Sequence, residues 1–316
     1  MMRVRRMRRM RRERGMTLVE VLVALAVGLG VVLGAGRLLV HANSAYAAQM
    51  EAAAIEDGGR YALELVARAL RQAAAVDPEA LSGALPGASG GTVGPARLAG
   101  LDAGTVGRAT PGIDDPSPAA VNGSDVLAVR FPGFGPAPDG DGSSVSCAGF
   151  TVAQGEEGWS IFHVARNSEG EAELRCKYRG AANWSADAIV TGVDSFQLLY
   201  GLDTDDPRDG APNRYVNADA IRVLDDALGA ADETDLRRRT WWKRVVSVRM
   251  ALLLHGARPT RSKPGGAVYT MFGPAYAGAG ATDAGVTLSE ATMPAGLRLR
   301  ERRLFTMTVA LPAAMP

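Results

Sequence analysis

The strongest constraint on this chain is a carboxylate inside an apolar segment. Residues 21–40 form an apolar run in which Arg37 is the only charge, and Leu18, Val19 and Glu20 lead directly into it. About 20 apolar residues are enough to span the hydrocarbon core of a bilayer. An unpaired charge there costs on the order of 3 kcal/mol or more. A chain that carries Glu20 at this place must satisfy it, through its own backbone or through a partner.

The flanks narrow the choice. Residues 1–15 hold eight Arg against Glu13 alone, so the end before the apolar run stays cytoplasmic and the chain beyond the run lies outside. A conventional secretory signal shares this order of basic start and apolar core. It would be cut at Ala42-Asn43-Ser44 or Ser44-Ala45-Tyr46, and it leaves Glu20 unexplained. Thr17-x-x-Glu20 also fits a capping box, in which each end satisfies the other at a helix start. Beyond residue 15 the chain has 27 basic and 33 acidic residues. That mildly acidic body offers no basic face for nucleic acid.

Gly15-Met16-Thr17-Leu18-Val19-Glu20 resembles the type IV prepilin motif. The resemblance implies cleavage after Gly15 by a membrane-embedded prepilin peptidase, which also methylates the new N-terminus, Met16. It implies that Glu20 neutralises the amine of Met16 on a neighbouring subunit as the two dock. The physical chemistry agrees, because two charges in apolar surroundings cost much less as a pair than singly. Only one stagger of the subunits brings that pair together.

No proline occurs over residues 16–76, which predicts a helix about 90 Å long. Its second half is amphipathic, with Ile55, Leu63, Val66, Leu70 and Ala73 on the docking stripe and Glu51, Glu64, Arg68 and Arg71 expected in water. Gly58-Gly59 suggests a kink, Gly30-x-x-x-Gly34 suits close helix approach in lipid, and Asp77-Pro78 ends the helix. Strand-like runs come next, at 125–131, 145–152, 159–166, 173–178, 189–200, 245–254 and 304–311, with a short helix at 218–228. Residues 86–142 and 207–213 read as loops. The fold class expected is α+β: a long N-terminal helix, membrane-spanning in its first half, packed on an antiparallel β-sheet head. The expected divisions are a leader over 1–15, the helix over 16–76 and the head over 77–316.

Four further stretches resemble the PilW minor pilin family. They are the run from Gly58-Gly59-Arg60-Tyr61 to Ala73, Gly192-Val193-Asp194-Ser195-Phe196 to Asp203, Trp242-Lys243-Arg244-Val245 to Leu253, and Arg302-Arg303-Leu304-Phe305 to Leu311. The family's closing strand usually continues Leu-Arg-Asn, and Leu311-Pro312-Ala313 departs from it. The resemblance implies a minor pilin of type IV pilus assembly, in the tip or priming complex. Its partners would be the peptidase, other minor and major pilins, and the inner membrane, with the head in the periplasm and later at the cell surface. A minor pseudopilin of a type II secretion system shares the same stem and is the alternative. A membrane-anchored adhesin or enzyme is a third reading.

Chemistry that would support an enzyme is thin. Gly87-Ala88-Ser89-Gly90-Gly91 matches Gly-x-Ser-x-Gly without the strand and helix a nucleophile elbow needs. His41, His163 and His255 lack metal-ligand spacing, and no cofactor or catalytic group is expected. Asp203, Asp205 and Asp209 could hold Ca²⁺ in a turn, although Pro207 interrupts the spacing and the loop has no bidentate Glu after it. A solvated acidic loop is the ordinary reading. Trp241-Trp242 reads as packing. Cys147 and Cys176 would form a disulfide in an oxidising compartment, with two separate buried thiols as the alternative.

Overall fold

The computed structural model describes residues 15–74, 94–135, 141–180 and 182–311. Helix α1 (Leu18–Ala74) opens the chain. It begins on a capping box: the backbone N–H of Thr17 donates to Glu20 Oε2 at 2.9 Å, and that of Glu20 to Thr17 Oγ1 at 3.3 Å. At its other end the Arg97 guanidinium donates to the carbonyls of Ala73 and Ala74, at 3.2 and 2.9 Å, satisfying groups the last turn leaves open. Asp77-Pro78 lies outside the described residues.

The chain divides into two compact units, Met1–Met50 and Glu51–Pro316. The first holds the apolar part of α1, whose side chains are exposed from Met16 to Val40. The second holds the rest of the helix and all the strands. Its five-stranded antiparallel sheet contains β1 (Leu98–Leu101), β4 (Val126–Pro132), β5 (Glu157–Arg166), β6 (Ala172–Arg179) and β7 (Trp184–Thr191), in that spatial order. A four-stranded antiparallel sheet runs β13 (Arg300–Ala310), β10 (Val245–Pro259), β8 (Val193–Leu202) and β9 (Arg214–Val216). Two small ribbons complete it, β2 (Thr105–Val106) with β3 (Pro116–Ser117), and β11 (Val268–Thr270) with β12 (Thr287–Ser289). Short helices lie at α2 (Ala218–Asp226), α3 (Glu233–Arg239) and α4 (Pro274–Ala279).

Alternation along the strands makes one main core. Leu127 and Val129 of β4, Phe162 and Val164 of β5, Phe196, Leu198 and Tyr200 of β8, and Val248, Met250 and Leu252 of β10 share it with the α1 stripe. All five residues of that stripe, from Ile55 to Ala73, are buried. The opposite faces are also covered. Val126, Ala128, Trp159 and Ile161 pack with Val106, and Ala251 and Leu253 pack with Met271 and Met293 from the stretch between β10 and β13. A fully buried Lys177 on β6 holds one such cover, donating to Gly112 O at 2.7 Å.

Several expectations change. The segment 189–200 is two strands, not one, because Gly192 takes φ +77 and turns the chain from the five-stranded sheet into the four-stranded one. The run 145–152 forms no strand and only the bridge between Val145 and Thr151, since Gly149 (φ +83) reverses the chain between them. The stretch read as loop over 86–142 holds the expected strand at 125–131 as β4, but also β1, β2 and β3 among its described residues. Gly58-Gly59 makes no break, because α1 is helical throughout. Glu51 is half-buried rather than wet, and its carboxylate accepts from the N–H groups of Ala257 and Arg258 at 2.9 and 3.4 Å.

Candidate functional site

The first described residues, Gly15, Met16 and Thr17, precede α1 and are exposed. Glu20 sits in its first turn. One carboxylate oxygen, Oε2, takes the Thr17 N–H and the Thr17 hydroxyl, the latter at 3.1 Å. Oε1 makes no hydrogen bond within the chain among the described residues. A carboxylate in this position is half-satisfied: it caps its own helix and keeps one oxygen for a donor from elsewhere. Around it Met16, Leu18, Val19 and Leu22 are exposed, Leu18 at 78%. Nothing within the first unit buries the apolar run, so its burial requires a bilayer or other helices. Among the described residues this is the one helix long and apolar enough to cross a membrane.

Two family matches bear on this geometry. Residues 10–35 match the prokaryotic N-terminal methylation motif, and residues 161–313 match the family described as Type IV Pilus-assembly protein W. The chain is a type IV minor pilin. The second match runs from within β5 through β13 and includes the whole four-stranded sheet. A solved structure of a type IV-like pilin from Thermus thermophilus shares 17% identity over 68% of this chain and 82% of its own, with a TM-score of 0.29. No curated protein matches.

In the head of the minor pilin, Cys147 and Cys176 form a disulfide, with Cα atoms 5.9 Å apart. Cys176 lies on β6 and Cys147 on the irregular segment beside it. Asp203, Asp205 and Asp209 do converge, each offering an oxygen within 4.8 Å of the others. Their oxygens already serve the loop: Asp203 accepts from the N–H groups of Asp205 and Gly210, and Asp209 from that of Ala211. This is the arrangement of a self-bonded acidic turn.

The histidines do not meet. His163 is buried, and its Nδ1 lies 3.1 Å from Thr105 Oγ1, which itself donates to Val164 O. His163 Nδ1 is therefore the donor. Burial, followed by the nearby Lys177 and Arg175, pushes its pKa down to about 3. His255 is buried elsewhere, 3.1 Å from Glu171. Trp242 stacks edge-on against Tyr200 at 4.8 Å, a core contact. The segment 87–91 lies outside the described residues.

Sequence reasoning missed an ionic network beneath the start of β13. Buried Arg302 donates to buried Asp194 at 2.8 Å, and Arg261 and Tyr269 both donate to buried Glu290, at 2.6 and 3.0 Å. Pairing is what makes such charges tolerable in a core. The signal was present as Asp194 and Arg302 in two of the PilW-like stretches, but they are 108 positions apart. Only the topology shows that they meet.

Proposed function

We propose that the minor pilin is cut after Gly15 by prepilin peptidase, methylated at Met16, and held in the inner membrane by the first half of its helix. Residues 1–15 are then the discarded leader, 16–76 the stem helix and 77–316 a head outside the cytoplasm. From the membrane it joins other pilins in the priming complex at the pilus tip. The observation that carries this reading is Glu20, a carboxylate inside an exposed apolar segment with one oxygen unused within the chain. The amine created at Met16 of a neighbouring subunit is a matching cation. Pairing there removes two unpaired charges from apolar surroundings and selects a single stagger.

One experiment tests both halves. Wild-type protein and Glu20→Ala are expressed in a piliated strain, their N-termini are read by mass spectrometry, and sheared pili are probed for each. Both should begin with N-methylated Met16, while Glu20→Ala should be incorporated roughly tenfold less, the equivalent of about 1.4 kcal/mol. An N-terminus near Ala42 overturns the processing. Equal incorporation of the two proteins overturns the docking role of Glu20.

A further inference from the structure

β13 is a free edge of the four-stranded sheet, and its hydrogen bonds are half used. It stands at the end of the order β13-β10-β8-β9, and its register with β10 runs unbroken from Arg302 to Ala310. Just past it, the Leu311 N–H donates to Val246 O. In an antiparallel ladder the bonded positions alternate. Counting back from Leu311, Val309, Met307, Phe305 and Arg303 bond to β10, while Leu304, Thr306, Thr308 and Ala310 turn their N–H and C=O groups outward. No other group of the chain takes those outward bonds among the described residues.

An unpaired edge is a template for a further strand, and folded proteins usually blunt it with short length, charge, proline or a bulge. The other three edges of the two main sheets are blunted in this way. β1 has four residues and β9 has three. β7 carries a shift in its register with β6 and an exposed Asp187. β13 is different. From Leu304 to Ala310 it reads Leu-Phe-Thr-Met-Thr-Val-Ala, without a charge, a proline or a glycine. Thr306, Thr308 and Ala310 are exposed on it. The arginines that precede this stretch project no free charge over it, because Asp194 holds Arg302 at 2.8 Å and Glu56 holds Arg303 at 2.7 Å.

We propose that the Leu304–Ala310 edge of β13 takes an extended strand from another pilin, which continues the four-stranded sheet across the boundary between subunits. The proposal rests on the assembly reading for the class of partner, and the edge supplies the partner's chemistry. Main-chain hydrogen bonds give such a contact its affinity, and the side chains beside them give it its choice. A neutral edge selects a neutral strand, since a charge laid along it loses water and meets no counter-charge. The partner segment is therefore extended and uncharged over the length of the edge. Small or β-branched residues on it match Thr306 and Thr308.

Proline at position 308 tests the edge without touching the ladder. The Thr308 N–H points outward, so Thr308→Pro removes a donor from the edge and none from the pairing with β10. Thr306→Lys changes only an exposed side chain and adds the charge with which edges repel strands. Full-length wild type and both variants are expressed in a piliated strain and purified in detergent, and sheared pili are probed for each. Both variants should begin with N-methylated Met16 and keep the wild-type urea midpoint, yet enter pili about tenfold less. If Thr308→Pro lowers the midpoint, Thr306→Lys decides alone.

Hydrogen exchange read residue by residue gives the direct signature. In the purified subunit the amides of Thr306 and Thr308 should exchange at least about tenfold faster than those of Met307 and Val309, and in wild-type pili that alternation should vanish. Wild-type incorporation of Thr306→Lys, or an alternation that persists in the pili, overturns the edge contact and leaves the assembly reading intact. Absence of the wild type from pili overturns both. An alternation that fades in the purified subunit alone as its concentration rises identifies a second copy as the occupant, and overturns the assignment to other pilins.

Discussion

At the residue scale, adjacent glycines in α1 do different work. A Cβ on Gly59 would lie 2.4 to 2.5 Å from the Phe305 ring on β13, whereas one on Gly58 would meet only Val190 Cγ2 at 3.0 Å. Replacing an interior helix glycine by alanine gains about 1 kcal/mol of helix propensity. Overpacking a core contact costs about 1–3 kcal/mol. Gly58→Ala should therefore be neutral or stabilising, and Gly59→Ala destabilising by about 1–2 kcal/mol, a difference of sign that urea unfolding of the two variants will read. Both glycines stand in one of the stretches that resembled PilW, where the pair suggested a kink. A sequence shows that glycine is needed but not whether the need is for a bend or for an approach. Glu20 was the opposite case. Its oddity is chemical rather than geometric, and it could be read with no structure at all.

At the scale of elements, the α1 stripe was legible because burial on one face leaves a 3.6-residue period. The edge strand β1 was not, because Leu-Ala-Gly-Leu has no period to speak of. It pairs with β4 as the sheet's last strand, and Gly100 sits so close to the Tyr200 hydroxyl that a Cβ would lie 2.1 Å from it. The loop after β1 carries Asp102, whose carboxylate accepts from the N–H groups of Ala218 and Asp219, at 3.0 and 2.6 Å, at the start of α2. Burial, outweighing those bonds, raises its pKa to about 6, and the neighbouring acids Asp283 and Asp219 add to the rise. Asp125, buried nearby, is pushed up further by burial first and then by Asp102. A carboxyl raised on folding favours the folded state below its unfolded pKa near 4, and that contribution is lost as pH rises through about 6. The head should lose up to about 3 kcal/mol from Asp102 across that window. In Asp102→Asn the slope of stability against pH between 4 and 6 should flatten. Urea midpoints measured at half-unit steps will show this, and parallel curves for the two proteins would remove Asp102 from the account.

At the scale of the whole molecule, the α+β class was visible from a long proline-free helix followed by short alternating runs. The division of the strands into two sheets was not visible, because it depends on the single φ of Gly192. Nor was the work of the segment around Cys147, which looked like a strand and is instead a strap. Cys147 is bonded through sulfur to β6, and its N–H donates to Ser160 Oγ on β5 at 2.9 Å. Two residues earlier, Val145 exchanges hydrogen bonds with the Gln72 side chain of α1, at 3.0 and 3.4 Å. One short segment thus ties the helix to the middle of the five-stranded sheet, and the disulfide anchors it. Closing a loop with a sequence separation of 29 restricts the unfolded chain by about 3–4 kcal/mol in the chain-entropy model. The double substitution Cys147→Ser with Cys176→Ser should lower the stability of the head by about that much. Hydrogen exchange should rise first in residues 141–153 and at the C-terminal end of α1, because the strap is what joins them. A uniform rise across the head would mean that the disulfide acts only on the unfolded chain. A rise confined to 141–153 would mean that the packing of α1 on the sheets holds the helix without help from the strap.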